Sequence, residues 1–449
     1  MRPSIAESFL FAGVMLTAAV AASAETSTGR ASAEKAEKKH ADDKSEIPPI
    51  NKRINKRWRF LMPTEVEAGA GYLFGDGIQT EKGPVIVANL GIEPHFTFRK
   101  RKLKLGLTAD YRSRESIGFS LAERHLYGGP FVDVRFKKKY TLSIFAEAGE
   151  KVRPNHPDPY QPELDADGER TGRLLPTDRF SYFHASGGAT LSVKFQKRLS
   201  GKVYGEYAYH NNAEDPSYDA VDSPTHLVPG DRDRARAGMG LTGYVGERIW
   251  RYLLDVRLDW TRYSDTVARD AKTGMTHAAP GGEPSNPMQR FLRIRIRERN
   301  SFRLYKRVLK GIVAADYTRN IDTFEGYYTW NQVSADIGLD FVPLRMLHLE
   351  AAYALEYRRY TEDGYQESGN HPPLDNGDTI RSSLSHSVKG EIDVALGFDA
   401  LRLFVEGSWE KKDTNFPDYE PGVFPSSAEY RINWDTLNYL IVGGVRLGI

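Results

Sequence analysis

The chain has 449 residues, with 62 Lys and Arg against 60 Asp and Glu, a formal net charge of +2 and a pI near 8.4. Nothing in so even a balance points to a nucleic-acid binder, and the absence of cysteine excludes disulfides, thiolate metal sites and thiol catalysis. Mean hydropathy is −0.53, a value that soluble proteins share with membrane strands showing lipid an apolar side chain only at every second residue.

The first element is an export signal. Arg2 precedes an apolar run over 9–20, and Ala22-Ser23-Ala24 follows as a small-x-small cleavage site, making residues 1–24 a signal peptide and Glu25 the first mature residue. The run is too short for a stable spanning helix, which needs about 20 residues. Glu7 departs from the usual basic start. Residues 25–57 are a charged tail, rich in Lys, Glu, Ala, Asp and Ser, that cannot bury enough apolar surface to order itself. It reads as a solvated leader or as a tether for a periplasmic partner, peptidoglycan or lipid headgroups.

Residues 58–449 carry a period of two. In the segment 103–112, Leu103, Leu105, Leu107, Ala109 and Tyr111 share one face, and Lys104, Gly106, Thr108, Asp110 and Arg112 the other. About sixteen such segments follow one another, each near the ~9–11 residues that cross a bilayer obliquely. They lie at 64–74, 84–98, 102–113, 124–136, 140–152, 179–195, 201–212, 232–245, 250–264, 289–300, 308–319, 327–341, 346–360, 380–398, 400–412 and 433–449. Their connections are expected to alternate strictly. Short ones include 137–139, 196–200 and 343–345; long polar ones are 153–178, 213–231, 265–288, 361–379 and 413–432. The expected fold is all-β: a transmembrane, antiparallel, up-and-down barrel of 16 to 18 strands, with short periplasmic turns and long extracellular loops, in the cell outer membrane. Lipid would meet Leu401, Leu403, Val405, Gly407 and Trp409, and likewise Leu254, Val256, Leu258 and Trp260, with each aromatic at the outer interface.

Gly444, Leu447 and Ile449 have the spacing Gly-x-x-hydrophobic-x-hydrophobic at the end of the last segment. This resembles the assembly signal of Gram-negative outer-membrane barrels, and implies recognition by the barrel assembly machinery. Two departures stand: the final residue is Ile rather than an aromatic, and Val442 occupies a position where polar residues are common.

The polar face defines the lumen. Arg293, Arg295, Arg297 and Arg299 alternate with Leu292, Ile294, Ile296 and Glu298, so four guanidiniums climb one wall. They repel one another unless water, carboxylates or an anionic passenger lie beside them. Arg232, Arg234 and Arg236 form a second row, while Asp110 and Glu147 are among the inward acids. The loop 153–178 carries Glu163, Asp165, Asp167 and Glu169. General porins fold the loop at this ordinal position into the lumen as a constriction. The resemblance is one of position and length, and an outward surface loop is the other reading. Asp165 to Glu169 is also a partial calcium loop without its closing ligand, so no metal is expected. In Ser385-His386-Ser387 the neighbouring side chains point to opposite faces, and His184 and His210 read as isolated polar residues. No catalytic residue, cofactor or enzymatic activity is expected.

The leading functional expectation is a porin-like channel passing polar or anionic solutes through an arginine-lined lumen. A dedicated export barrel for an exopolysaccharide is the alternative, with inward Tyr204, Tyr244 and Phe404 to stack on sugars. A structural barrel anchoring a periplasmic partner through 25–57 is a third. Expected partners are outer-membrane lipid and lipopolysaccharide, the assembly machinery, and a polar solute or polysaccharide.

Overall fold

In the computed structural model the described residues are 58–76, 83–98, 102–116, 122–153, 156–164, 170–177, 181–212, 231–246, 249–268, 286–306, 308–361, 380–396, 401–415 and 436–448. The signal peptide, the tail over 25–57, Asp165, Asp167, Glu169 and Ile449 lie outside them. The chain forms two units, residues 1–59 and residues 60–449, and the second is a barrel.

The strands in chain order are β1 (Trp58–Leu61), β2 (Thr64–Asp76), β3 (Gly83–Ile92), β4 (His95–Phe98), β5 (Leu103–Ser116), β6 (Ala122–Phe136), β7 (Tyr140–Val152), β8 (His156–Leu164), β9 (Arg170–Thr177) and β10 (Tyr182–Gln196). They continue as β11 (Leu199–Asn212), β12 (Arg232–Val245), β13 (Trp250–Val267), β14 (Met288–Tyr305), β15 (Leu309–Asp322), β16 (Trp330–Leu344), β17 (Leu347–Tyr360), β18 (Ser382–Ala395), β19 (Leu401–Thr414) and β20 (Thr436–Gly448). Two prolines split the first two passes. Pro63 separates β1 from β2 and Pro94 separates β3 from β4, because a proline nitrogen cannot donate to a ladder. The two interruptions face each other: the Glu93 amide donates to the Pro63 carbonyl at 2.9 Å, and the Leu107 amide to the Pro94 carbonyl at 3.0 Å. Counting each split pair once, sixteen antiparallel passes form the barrel, as the alternation predicts.

Closure joins the ends of this unit. β2 pairs with β20 from Glu65↔Gly448 to Asp76↔Leu437, so no edge is left unpaired there. Glycine makes this seam possible. A Cβ on Gly444 would lie 2.1 Å from the Ala68 carbonyl oxygen, and one on Gly71 would lie 1.9 Å from that of Ile441. Short turns close the other end of the hairpins. In the three-residue turn 137–139 that joins Phe136 to Tyr140, Lys137 (φ 49°) and Lys138 (φ 55°) take the left-handed backbone that reverses the chain tightly.

Two sequence expectations need correction. Connections do not alternate strictly between short and long, because three outer ones are brief: 77–82, 117–121 and 323–329. The last is tied down by the Asp322 carboxylate, which accepts from the Phe324 and Tyr328 amides at 3.1 and 3.3 Å. The long loop 153–178 is not plain loop either. It contains β8 and β9, paired with each other as a separate two-stranded sheet. Pro157, Pro159 and Pro162 argue against a strand in sequence, yet a two-stranded ribbon has only edge strands, where proline is tolerated.

Large apolar side chains cover the outer face. Leu107, Met239, Ile337, Val405 and Ile441 are all more than half exposed, at 55%, 58%, 58%, 51% and 55%. In water such a surface would drive aggregation; against acyl chains it is the stable arrangement. Aromatics ring both ends. Near the short turns, Trp250 stacks on Phe302 at 5.9 Å and Phe136 on Tyr140 at 5.3 Å. Toward the loops stand Trp260, Tyr317, Tyr357 and Tyr439, exposed on the same outer face.

Candidate functional site

Because successive side chains alternate, the register fixes what lines the lumen. Arg232, Arg234 and Arg236 on β12 lie beside Tyr263, Thr261 and Asp259 of β13. Arg257 and Asp255 of β13 lie beside Arg295 and Arg297 of β14, and Asp259 lies beside Arg293. Adding Arg251, Arg299 and Arg303, the inward side of β12–β14 carries ten guanidiniums against two carboxylates, Asp255 and Asp259, among the described side chains.

Neighbouring strands neutralise part of this wall. Glu206 of β11 accepts from Arg234 at 3.3 Å and from Arg236 at 3.1 Å. Arg236 donates to Asp259 at 2.7 Å, and Arg257 lies 2.9 Å from the other Asp259 oxygen. Acid and base thus alternate through Arg234, Glu206, Arg236, Asp259 and Arg257. Farther round, Asp316 of β15 takes Arg295 at 2.5 Å, and Asp336 of β16 lies 3.8 Å from Arg297. Lys202 and the Tyr204 hydroxyl share Asp255 at 3.0 and 2.9 Å.

Three of the seven arginines expected from sequence remain without a carboxylate within 4.0 Å among the described residues: Arg232, Arg293 and Arg299. Arg232 reaches only the Tyr263 hydroxyl at 3.4 Å. Arg293 bonds Asn320 at 3.4 Å and lies 5.4 Å over the Trp330 ring. Trp330 also carries Arg358 at 4.5 Å on its ring. Uncompensated positive charge therefore runs along β12–β14 from the loop end toward the turn end.

The opposite side differs. Eight passes from β13 in either direction stands β2. There the lumen is lined by Leu73, Val85, Val87, Leu440 and Val442, with Phe404 3% exposed. Phe404 reaches the seam, its Cζ 3.3 Å from where a Cβ on Gly69 would stand, and the Arg446 guanidinium lies 4.8 Å over its ring. Val442, a departure from the usual assembly signal, is a member of this apolar patch. Arg446 binds Glu67 at 2.7 Å, Glu391 at 2.8 Å and Asp393 at 3.3 Å, which locks the first and last barrel strands together.

A closed sheet with an apolar outer face and a charged inner one suits a lipid bilayer and no soluble setting. The chain is a membrane-spanning β-barrel. No family model and no curated protein matches it. Among solved structures the barrel is similar to the trimer form of OmpT, an outer membrane protein of Vibrio cholerae, with a TM-score of 0.43 and 9% identity over 88% of this chain and 100% of that one. It is also similar to the outer membrane channel DcaP of Acinetobacter baumannii (TM-score 0.43, 10% identity, 88% of this chain, 98% of that one). The anion-selective porin of Comamonas acidovorans gives a TM-score of 0.38 at 10% identity, over 87% of this chain and 100% of that one.

Other expected residues of the barrel separate. Asp110 is paired with Arg112 at 2.7 Å, and Glu147 lies 3.9 Å from His184. Glu163 falls in β8, whose side chains lie outside the described residues, so the loop's carboxylates are not placed against the arginines. Gly444 faces inward at the seam, while Leu447 faces out between Leu401 and Val66. The three aromatics proposed to stack on sugars do not form a track. Tyr204 is held by Asp255, Tyr244 lies under Arg251 at 5.8 Å, and Phe404 is buried eight passes from β11.

His184 and His210 are not isolated, contrary to expectation. They are directly paired across β10 and β11 with ring centroids 4.5 Å apart, flanked by Tyr127 and Tyr182. Among the described residues no group of three or more His, Asp or Glu is arranged for a metal ion. Sequence reasoning passed over Arg257, Asp316 and Trp330. The parity that placed Asp255 and Asp259 inward places Arg257 there as well.

Proposed function

We propose that the barrel is a channel for polar or anionic solutes, with β12–β14 as its selectivity wall and no catalytic step. The observation that carries this reading is the residual charge: Arg232, Arg293 and Arg299 face the lumen with no carboxylate among the described residues within ion-pair distance. A guanidinium held so is a standing site for a passing carboxylate or phosphate, which it can grip with two parallel hydrogen bonds. Neighbouring pairs such as Arg236–Asp259 hold the wall rigid, so the free guanidiniums are presented rather than folded away.

Planar-bilayer recording tests it. Purified protein is expected to give discrete conductance steps with an anion-over-cation permeability ratio above unity. The double substitution Arg293→Glu and Arg299→Glu is expected to push that ratio below unity without abolishing conductance. A protein that folds and inserts yet conducts nothing, or whose ratio ignores the double substitution, would sink the reading.

A further inference from the structure

The outer face of the barrel carries a repeat that the channel does not use. On three successive ascending strands an exposed aromatic is followed two residues later by an exposed arginine: Trp260 and Arg262 on β13, Tyr317 and Arg319 on β15, Tyr357 and Arg359 on β17. All six side chains point away from the lumen, since the register places the intervening Thr261, Thr318 and Arg358 inward. Among the described residues none of the three arginines has an ion-pair or hydrogen-bond partner. The descending strands continue the row. Arg290 is directly paired with Arg262, and Asn331 stands between Arg319 and Arg359, accepting from the Tyr317 hydroxyl at 2.8 Å.

Depth gives the row its meaning. Two strand residues span about 7 Å. An aromatic ring prefers the boundary between acyl chains and headgroups, so a guanidinium one such step farther out stands among the headgroups. On the other described parts of the rim the pattern breaks or is neutralised. On β11 the corresponding outward residues are Tyr207 and Tyr209, on β5 Tyr111 and Ser113. Arg124 of β6 is taken by Glu115 at 2.9 Å, and on β19 Lys411 after Trp409 is taken by Asp413 at 2.8 Å.

We propose that the outer face of β13, β15 and β17 is a binding site for the phosphate groups of the phosphorylated glycolipid of the outer leaflet. Charge complementarity selects this occupant. Unpaired guanidiniums want bidentate oxyanions, and the aromatics beneath offer a flat apolar wall to acyl chains. This site is independent of the lumen.

Native mass spectrometry of the detergent-solubilised barrel tests it, with titration of bis-phosphorylated lipid A, the same lipid fully dephosphorylated, and a phosphatidylglycerol. Wild-type protein is expected to hold the bis-phosphorylated form at least about tenfold more tightly than the other two, as fits the loss of paired charge-assisted bonds. The triple substitution Arg262→Gln, Arg319→Gln, Arg359→Gln is expected to remove that preference, while Arg124→Gln leaves it intact. Heat-modifiable migration in gels shows whether each variant is folded; if the triple variant is not, the single Arg319→Gln is expected to weaken lipid A binding about threefold. Equal binding of the dephosphorylated lipid or of phosphatidylglycerol would overturn the proposal. So would an unchanged preference in the folded variants. A lipid-free multimer that the substitutions dissociate would also overturn it, by assigning the row to a subunit interface.

Discussion

Asp259 sits between two guanidiniums, Arg236 at 2.7 Å and Arg257 at 2.9 Å, and is 4% exposed. A carboxylate so enclosed has lost its hydration and recovers it only through its partners. Asp259→Asn keeps the shape and strands two positive charges. The expected loss is on the order of 3 kcal/mol, read as a lower urea midpoint for unfolding in detergent. Channel recordings of the same variant are expected to show stronger anion preference, because the lumen gains a full positive charge. Arg293 supplies the contrast. Its partners are the neutral Asn320 and the face of Trp330, so Arg293→Gln is expected to weaken anion selectivity in the same recordings, with little change in the urea midpoint.

Among the elements, the seam between β2 and β20 leaves least room for substitution. Gly444→Val would drive a side chain into the Ala68 backbone, which cannot yield without parting the strands. The expected result is loss of the folded, heat-modifiable band in gels of outer-membrane fractions. Gly448→Ala, at a position with nothing within 4 Å of the added methyl, is expected to leave that band unchanged. The alternation that made sixteen passes legible in sequence also groups Arg293, Arg295, Arg297 and Arg299 on one face of β14, because each strand's own parity decides which residues share a face. Pairing between strands was a different matter. That Asp316 takes Arg295, or that His184 meets His210, depends on register across a hairpin, and no single strand contains that information. The apolar patch was hidden for a similar reason. Leu73, Val85, Phe404 and Val442 come from four strands that become neighbours only when the sheet closes. The β8–β9 ribbon was masked by its prolines.

At the scale of the whole molecule, the lumen has two unlike sides, guanidiniums on β12–β14 and an apolar, partly acidic surface around β2 and β20. Such an arrangement acts through space as well as through contact, and salt attenuates it: the screening length falls from about 10 Å at 0.1 M to about 3 Å at 1 M. Reversal potentials measured across that range are expected to show anion preference collapsing toward unity at high salt. A ratio unmoved by salt would mean that selection happens by direct contact alone. The asymmetry also sets a direction. Positive charge gathered on one side gives a field that points across the passage rather than along it. A molecule whose own charge separation lies along its length is turned broadside and obstructed. One of equal size and equal net charge, with the separation across its width, is held end-on and slips through.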